Sequence, residues 1–277
     1  MQLGLATYSY HLAFGKHPDR RADGPMTLAK CLKRARDLGF SAVQVDPAHF
    51  NPEKDSPKWV RKLADSLGLA LEAGSIGVDP ERLGRDLGIA AEWNSPVLRT
   101  SLAWEHPRVG GHPEERLRKA AEKLRESLAE AERLKITIAI ENHGDISTPD
   151  LLALLKMTDS PYVGVCLDVG NSMLFLEDPV WTAEQLAPWA VTAHLKDYRR
   201  VLTTFGGKCV GVPLGEGNID LDRVIPVLLA APRLAHLMLE SATEATGSDS
   251  EMLAAEDRAV VKSVEFWKQW MHQHPQS

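Results

Sequence analysis

Short apolar runs alternate with longer amphipathic ones from one end of the chain to the other. The apolar runs fall near residues 3–8, 41–46, 69–73, 96–100, 136–141, 163–168, 190–196 and 235–240. Each has the length of a buried strand, and each is followed by a stretch whose apolar residues recur every three or four positions. Helix starts are marked by Thr27 before "LAKCLKRARDLGF", Asp79-Pro80 before "ERLGRDL", Pro113 before "EERLRKAAEKLRESLAEAERL" and Thr148-Pro149 before "DLLALLKM". Gly39 and Gly68 stand where helices should stop. Strands separated by helices pair in parallel, and eight strand–helix units predict an α/β fold that closes into a single (β/α)8 barrel over residues 1–277. No glycine-rich fingerprint follows the first strand, which argues against a nucleotide-binding doubly wound sheet. Residues 11–26, 101–112 and 199–218 read as irregular, and all three follow strands, which in a barrel places them at the catalytic face.

Four consecutive strands end in a potential metal ligand: "ITIAIE" in Glu141, "VGVCLD" in Asp168, "AVTAHLK" in His194 and "LAHLMLE" in Glu240. Any one of them alone reads as a helix cap, an ion-pair partner or a structural histidine. Together, at the same end of neighbouring strands, they would converge on one rim. Three carboxylates and one imidazole make a hard, oxygen-rich set suited to Mn2+, Mg2+, Co2+ or Zn2+, with Mn2+ the first expectation.

Residues two apart share a face of a strand, so His143 follows Glu141 and Lys196 follows His194 into the barrel mouth. The blander readings are a cap for His143 and an exposed cation for Lys196. Asn171 would touch substrate or cap the next helix. Arg200 would clamp a substrate oxygen or phosphate, or be solvated. Trp104 would wall the cavity against a sugar face, whereas Trp267 and Trp270 sit at helical packing positions. Gly215 and Gly217 precede a helix expected near Ile219. Their turn would present N–H groups to an anion or, the preferred reading, simply enter the helix tightly.

Composition narrows the classes. A formal charge of −6 and a pI near 5.9 give no general attraction to nucleic acid or an anionic membrane. Cys31, Cys166 and Cys209 are few and lack CxxC spacing, which fits a reducing compartment. With no signal peptide or apolar span evident, the expected location is cytoplasmic.

The motifs "IENHG", "LDVGN", "HLKDYRR", "GEGNIDLDRVI" and "LMLES" resemble those of the xylose isomerase-like TIM-barrel superfamily of sugar phosphate isomerases and epimerases. That superfamily includes tagatose/psicose 3-epimerases, inosose isomerases and dehydratases, and the endonuclease IV group. The resemblance implies one divalent metal on Glu141, Asp168, His194 and Glu240, with Glu141 and Glu240 also exchanging protons with substrate. Arg200 matches an epimerase arginine six residues after the metal histidine, whereas Asn171 stands where the epimerases have a histidine. Endonuclease IV needs three metals; Cys209 and Gly211 stand in place of its Asp-x-His element, and strands three and four end in "EAG" and "RTS", leaving a one-metal site.

The expected function is isomerisation or epimerisation of a small sugar, keto-sugar or cyclitol through an enediolate. The alternatives are a dehydratase or lyase using His143 or Lys196 as acid, and a non-catalytic binding barrel. The expected partner is a small-molecule carbohydrate, read by loops 11–26, 44–52, 101–112 and 199–218, and a homo-oligomer is left open.

Overall fold

A computed structural model describes residues 2–16, 24, 26–104 and 113–275. Eight parallel strands close into a barrel: β1 (Leu3–Ala6), β2 (Ala42–Val45), β3 (Ala70–Gly74), β4 (Val97–Thr100), β5 (Thr137–Glu141), β6 (Val163–Asp168), β7 (Ala190–Leu195) and, after a hairpin, β10 (His236–Leu239). β10 returns to pair with β1, with Leu3 opposite Leu237, so no barrel edge stays open. The outer ring is α1 (Leu28–Leu38), α2 (Pro57–Leu67), α3 (Pro80–Glu92), α4 (Glu114–Leu134), α5 (Thr148–Thr158), α6 (Pro179–Leu186), α7 (Leu221–Leu229) and α8 (Asp249–Gln273). No helix among the described residues is long and apolar enough to cross a membrane.

Local chemistry sets the boundaries. Thr27 accepts a hydrogen bond from Lys30 N and Asp79 one from Arg82 N, each satisfying an otherwise orphaned amide of a first turn. Gly39 and Gly68 end their helices at φ 86° and 70°, a left-handed conformation that costs glycine nothing. Two starts differ from expectation. The cap of α5 is Ser147, which leaves Thr148 and Pro149 inside the first turn. α7 begins at Leu221 because Asp220, after Ile219, accepts from Arg223 N.

The larger difference lies in 199–218, expected to be irregular. Residues Asp197–Thr203 (β8) and Gly206–Val212 (β9) form an antiparallel hairpin outside the barrel. Only 11–16, 24 and 26 of the first irregular stretch and 101–104 of the second are described.

Leucines, valines and alanines from both layers form the core, with Leu5, Leu98, Ile138 and Val165 of the strands fully buried. Trp267 and Trp270 pack against that core with rings 6.1 Å apart, as expected. α8 also ties down the segment after β1: the buried carboxylate of Glu256 accepts from Leu12 N at 2.8 Å and Ala13 N at 2.9 Å.

Candidate metal centre and substrate cavity

Each of the four candidate ligands closes or immediately follows a strand. Glu141 and Asp168 are the last residues of β5 and β6, His194 is the penultimate residue of β7, and Glu240 directly follows β10. Register holds them together: Asp168 lies opposite His194, and His194 opposite Met238. One ligand atom from each falls within 4.8 Å of the others, and all four residues are buried. His194 Nδ1 is 3.0 Å from Glu240 Oε2, 3.3 Å from Asp168 Oδ2 and 3.7 Å from Glu141 Oε1. This donor set fits a hard divalent cation: three buried carboxylates around one nitrogen repel each other unless positive charge sits among them. Cys166 Sγ lies 3.4 Å from His194 Nε2 and forms a second possible donor group with Glu141 and His194; burial pushes its thiol up to about 11.

Two cations brace the carboxylates. Lys196 Nζ lies 2.7 Å from Asp168 Oδ2 and 2.6 Å from Glu240 Oε1. Burial works against the lysine's charge, but Asp168 and Glu240 outweigh it and raise its pKa well above the ordinary value. Gly170 makes room for this side chain, since a Cβ there would stand 2.7 Å from Lys196 Cδ. Arg99, on β4, donates to Glu141 Oε2, while its Nη1 lies 3.7 Å from Asp46 Oδ2. Asn171 Nδ2 donates to Glu141 Oε1 at 3.1 Å, and its backbone N–H donates to Asp168 Oδ1. Burial raises the Glu141 pKa, but Arg99 and His194 together hold it well below the carboxylate range. For Glu240, His194 and Lys196 overcome burial and hold the carboxyl down to about 2.

A cavity of about 360 Å³ opens over the cluster, lined on its polar side by Tyr8, Asp46, Arg82, Arg99, Ser101, His143 and Glu240. The two glutamates differ here: Glu240 reaches the cavity, whereas Glu141 lies beneath it against Arg99 and Asn171. Arg82 Nε is buried and has no hydrogen-bond partner among the described residues, with Asp86 Oδ2 3.8 Å away. The Tyr8 hydroxyl is raised to about 12, by burial first and by Glu240 second.

The other sequence candidates divide. His143 is exposed at the rim and lines the cavity, and Lys196 is buried among the carboxylates. Asn171 joins the cluster. Arg200 does not: it is exposed on β8, its backbone N–H donating to Asn218 Oδ1, and it is not among the cavity-lining residues. Trp104 is not among the cavity-lining residues; the Arg116 guanidinium covers its ring at 4.4 Å, and residues 105–112 that follow lie outside the described chain. The Gly215–Gly217 turn does face an anion, but an internal one: Asp197 accepts from Gly215 N, Gly217 N and Ile219 N. Sequence reasoning missed Arg99, Arg82, Tyr8, Asp46 and Asp197. The one available signal was a charge inside the apolar strand "VLRT".

A family model described as xylose isomerase-like TIM barrel matches residues 32–270. The chain belongs to that family. Its members include sugar-modifying enzymes, and among solved structures the fold is shared with epimerases and a dehydratase. One relative, the 3-oxo-isoapionate decarboxylase of Pectobacterium atrosepticum, is 30% identical over 273 residues, covering 96% of this chain and 94% of the relative. D-allulose 3-epimerase from a Methylomonas species, solved with D-allulose, superposes at a TM-score of 0.72 with 15% identity, over 97% of this chain and 96% of that one. A xylose isomerase-like barrel from Mycobacterium smegmatis, solved with magnesium, gives 0.63 with 22% identity, over 95% and 96%. These structural likenesses establish the fold.

Proposed function

We propose that the protein is a divalent-metal-dependent enzyme that decarboxylates a 3-oxo sugar acid through an enediolate. The observation that carries this reading is the asymmetry of the two glutamates. Epimerisation needs proton-transfer groups on two faces of the substrate, but only Glu240 lines the cavity, while Arg99 and Asn171 occupy Glu141. Loss of CO2 needs a single protonation. The full-length relative that decarboxylates a 3-oxo sugar acid supports the same choice.

The four-ligand cluster would hold the cation, Mn2+ being the first choice for an oxygen-rich set, and the cation would polarise the substrate ketone and stabilise charge on its oxygen. The chain's residues do the rest. Arg82, whose partly exposed guanidinium lines the cavity, gives an anionic substrate a charged contact that a neutral ketose cannot use. The bond between the carboxylate carbon and the adjacent carbon breaks, and its electron pair passes into the enediolate as CO2 leaves. His143, exposed at the rim, is placed to bring a proton from solvent to that carbon. Lys196 keeps Glu240 and Asp168 in position throughout.

A second reading, isomerisation of a keto-sugar by the same enediolate, is favoured by Glu240 alone: it is the ligand carboxylate on the cavity wall, within reach of a substrate C–H. The test is to incubate Mn2+-loaded protein with 3-oxo sugar acids and with neutral ketoses and follow products by NMR. The decarboxylase reading expects only the acids to be consumed, with loss of one carbon. Isomers formed from the neutral ketoses with the acids untouched would establish the second reading instead.

A further inference from the structure

Below the cluster, a file of polar side chains runs through the barrel interior to its opposite end. His194 Nε2 is 2.7 Å from Gln44 Oε1, and Gln44 Nε2 donates to Glu72 Oε2 at 2.8 Å. Glu72 is fully buried and also accepts from Thr192 Oγ1 at 2.8 Å, while its Oε1 lies 2.7 Å from His236 Nδ1. Gln44 and Glu72 sit opposite each other on β2 and β3, and Thr192 opposite His236 on β7 and β10, so the Glu72 carboxylate spans the barrel. His236, the first residue of β10, reaches solvent at the N-terminal end. Barrel interiors are ordinarily filled by branched apolar side chains. A buried carboxylate contributes little to stability that such residues would not.

The file has a direction. Glu72 Oε2 accepts from both Gln44 Nε2 and Thr192 Oγ1, so Glu72 turns the Gln44 amide with its NH2 toward β3 and its carbonyl toward His194. A carbonyl only accepts, so His194 Nε2 carries a proton. Nδ1 is then the nitrogen left to face Glu141, Asp168 and Glu240. At the far end of the file, burial opposes the charge of the His236 imidazole, but the hydrogen bond and charge of Glu72 outweigh it and raise its pKa.

We infer that Glu72 is a positioning residue for the metal centre, acting through Gln44 to keep His194 Nε2 as the N–H face so that Nδ1 is presented to the cation. This rests on the metal-centre reading above. Partners that orient a ligating histidine in this way typically contribute 10- to 100-fold to metal affinity.

The test measures zinc affinity by competition with a chromophoric chelator for wild type, Glu72→Gln, Gln44→Leu and the double variant. Folding is checked by circular dichroism, and the hydrogen-bonded Nε2 proton of His194 is followed by NMR with and without zinc. Each single variant should bind zinc about 10- to 100-fold more weakly. The double variant should lose no more than Gln44→Leu alone, because the proposal has Glu72 act on the imidazole through Gln44. A merely structural Glu72 would instead give losses that multiply, or zinc affinity within twofold of wild type, and either result overturns the proposal. Gln44→Leu, similar in volume and in direct contact with His194, decides the matter in the same way should Glu72→Gln fail to fold. If wild type bound no divalent cation, the metal-centre reading would fail by itself. The Nε2 proton signal in zinc-free protein, present in wild type and lost in Gln44→Leu, would still judge the orientation.

Discussion

Lys196 reaches Glu240 with its Nζ 2.6 Å from Oε1, and with the same nitrogen lies 2.7 Å from Asp168 Oδ2. One buried cation thus braces two of the three carboxylates proposed to hold the metal. Lys196→Met should destabilise the metal-free protein by about 3 kcal/mol, the scale for breaking a buried ion pair. Mn2+ should recover much of that loss by restoring positive charge to the cluster. Denaturant unfolding with EDTA and with Mn2+ measures both; equal stability of variant and wild type in EDTA would contradict the bracing role.

Arg82→Gln tests the anionic substrate. It removes a partly exposed guanidinium that lines the cavity. KM for an acid substrate should rise about tenfold, the loss of one charge-assisted contact, with kcat within about threefold. A fall in kcat at unchanged KM would place Arg82 in the chemical step instead.

Asp197→Asn tests the internal anion. The carboxylate accepts three backbone N–H groups of the turn before α7, and an amide would turn its NH2 against at least one of them. The expected cost is about 2 kcal/mol, read from denaturant melts. Gly217→Ala should act in the same direction, since its Cβ would lie 2.0 Å from Asp197 Oδ1. Wild-type stability in both variants would mean that the turn is not anchored there.

Glu256 sets a pH dependence. Burial raises its carboxyl to about 7, against the partial opposition of the Leu12 and Ala13 amides. A raised folded-state pKa means stability that is fully present below the unfolded value near 4.3 and lost as pH rises through about 7. Wild type should therefore lose roughly 5 °C of Tm between pH 5 and 8 relative to Glu256→Gln, which cannot ionise. Parallel Tm profiles for the two proteins would assign the pH dependence elsewhere.

The barrel and the four clustered side chains were legible in the sequence because each ligand stands at the end of an apolar strand, and eight such strands alternate with amphipathic helices. Arg99 was not, because a lone charge in "VLRT" becomes informative only once Glu141 is seen on the neighbouring strand. The hairpin was not, because much of "DYRRVLTTFGGKCVGV" is solvated, with Leu202 and Phe205 89% and 99% exposed, and the alternation that marks a half-buried strand is absent. The GxG turn was read correctly as a tight turn, but its anion, Asp197, lies in another segment and is invisible to local pattern.

The most direct test of the account is to follow a 3-oxo sugar acid carrying 13C in its carboxylate, in D2O, with Mn2+-loaded protein and with protein stripped by EDTA. The account predicts that labelled bicarbonate appears one-for-one with a product carrying a single deuterium at the carbon that lost CO2, and that this stops on metal removal and resumes on its return. Deuterium exchange or isomerisation with the label retained in the carboxylate, or equal turnover in the stripped protein, would contradict it.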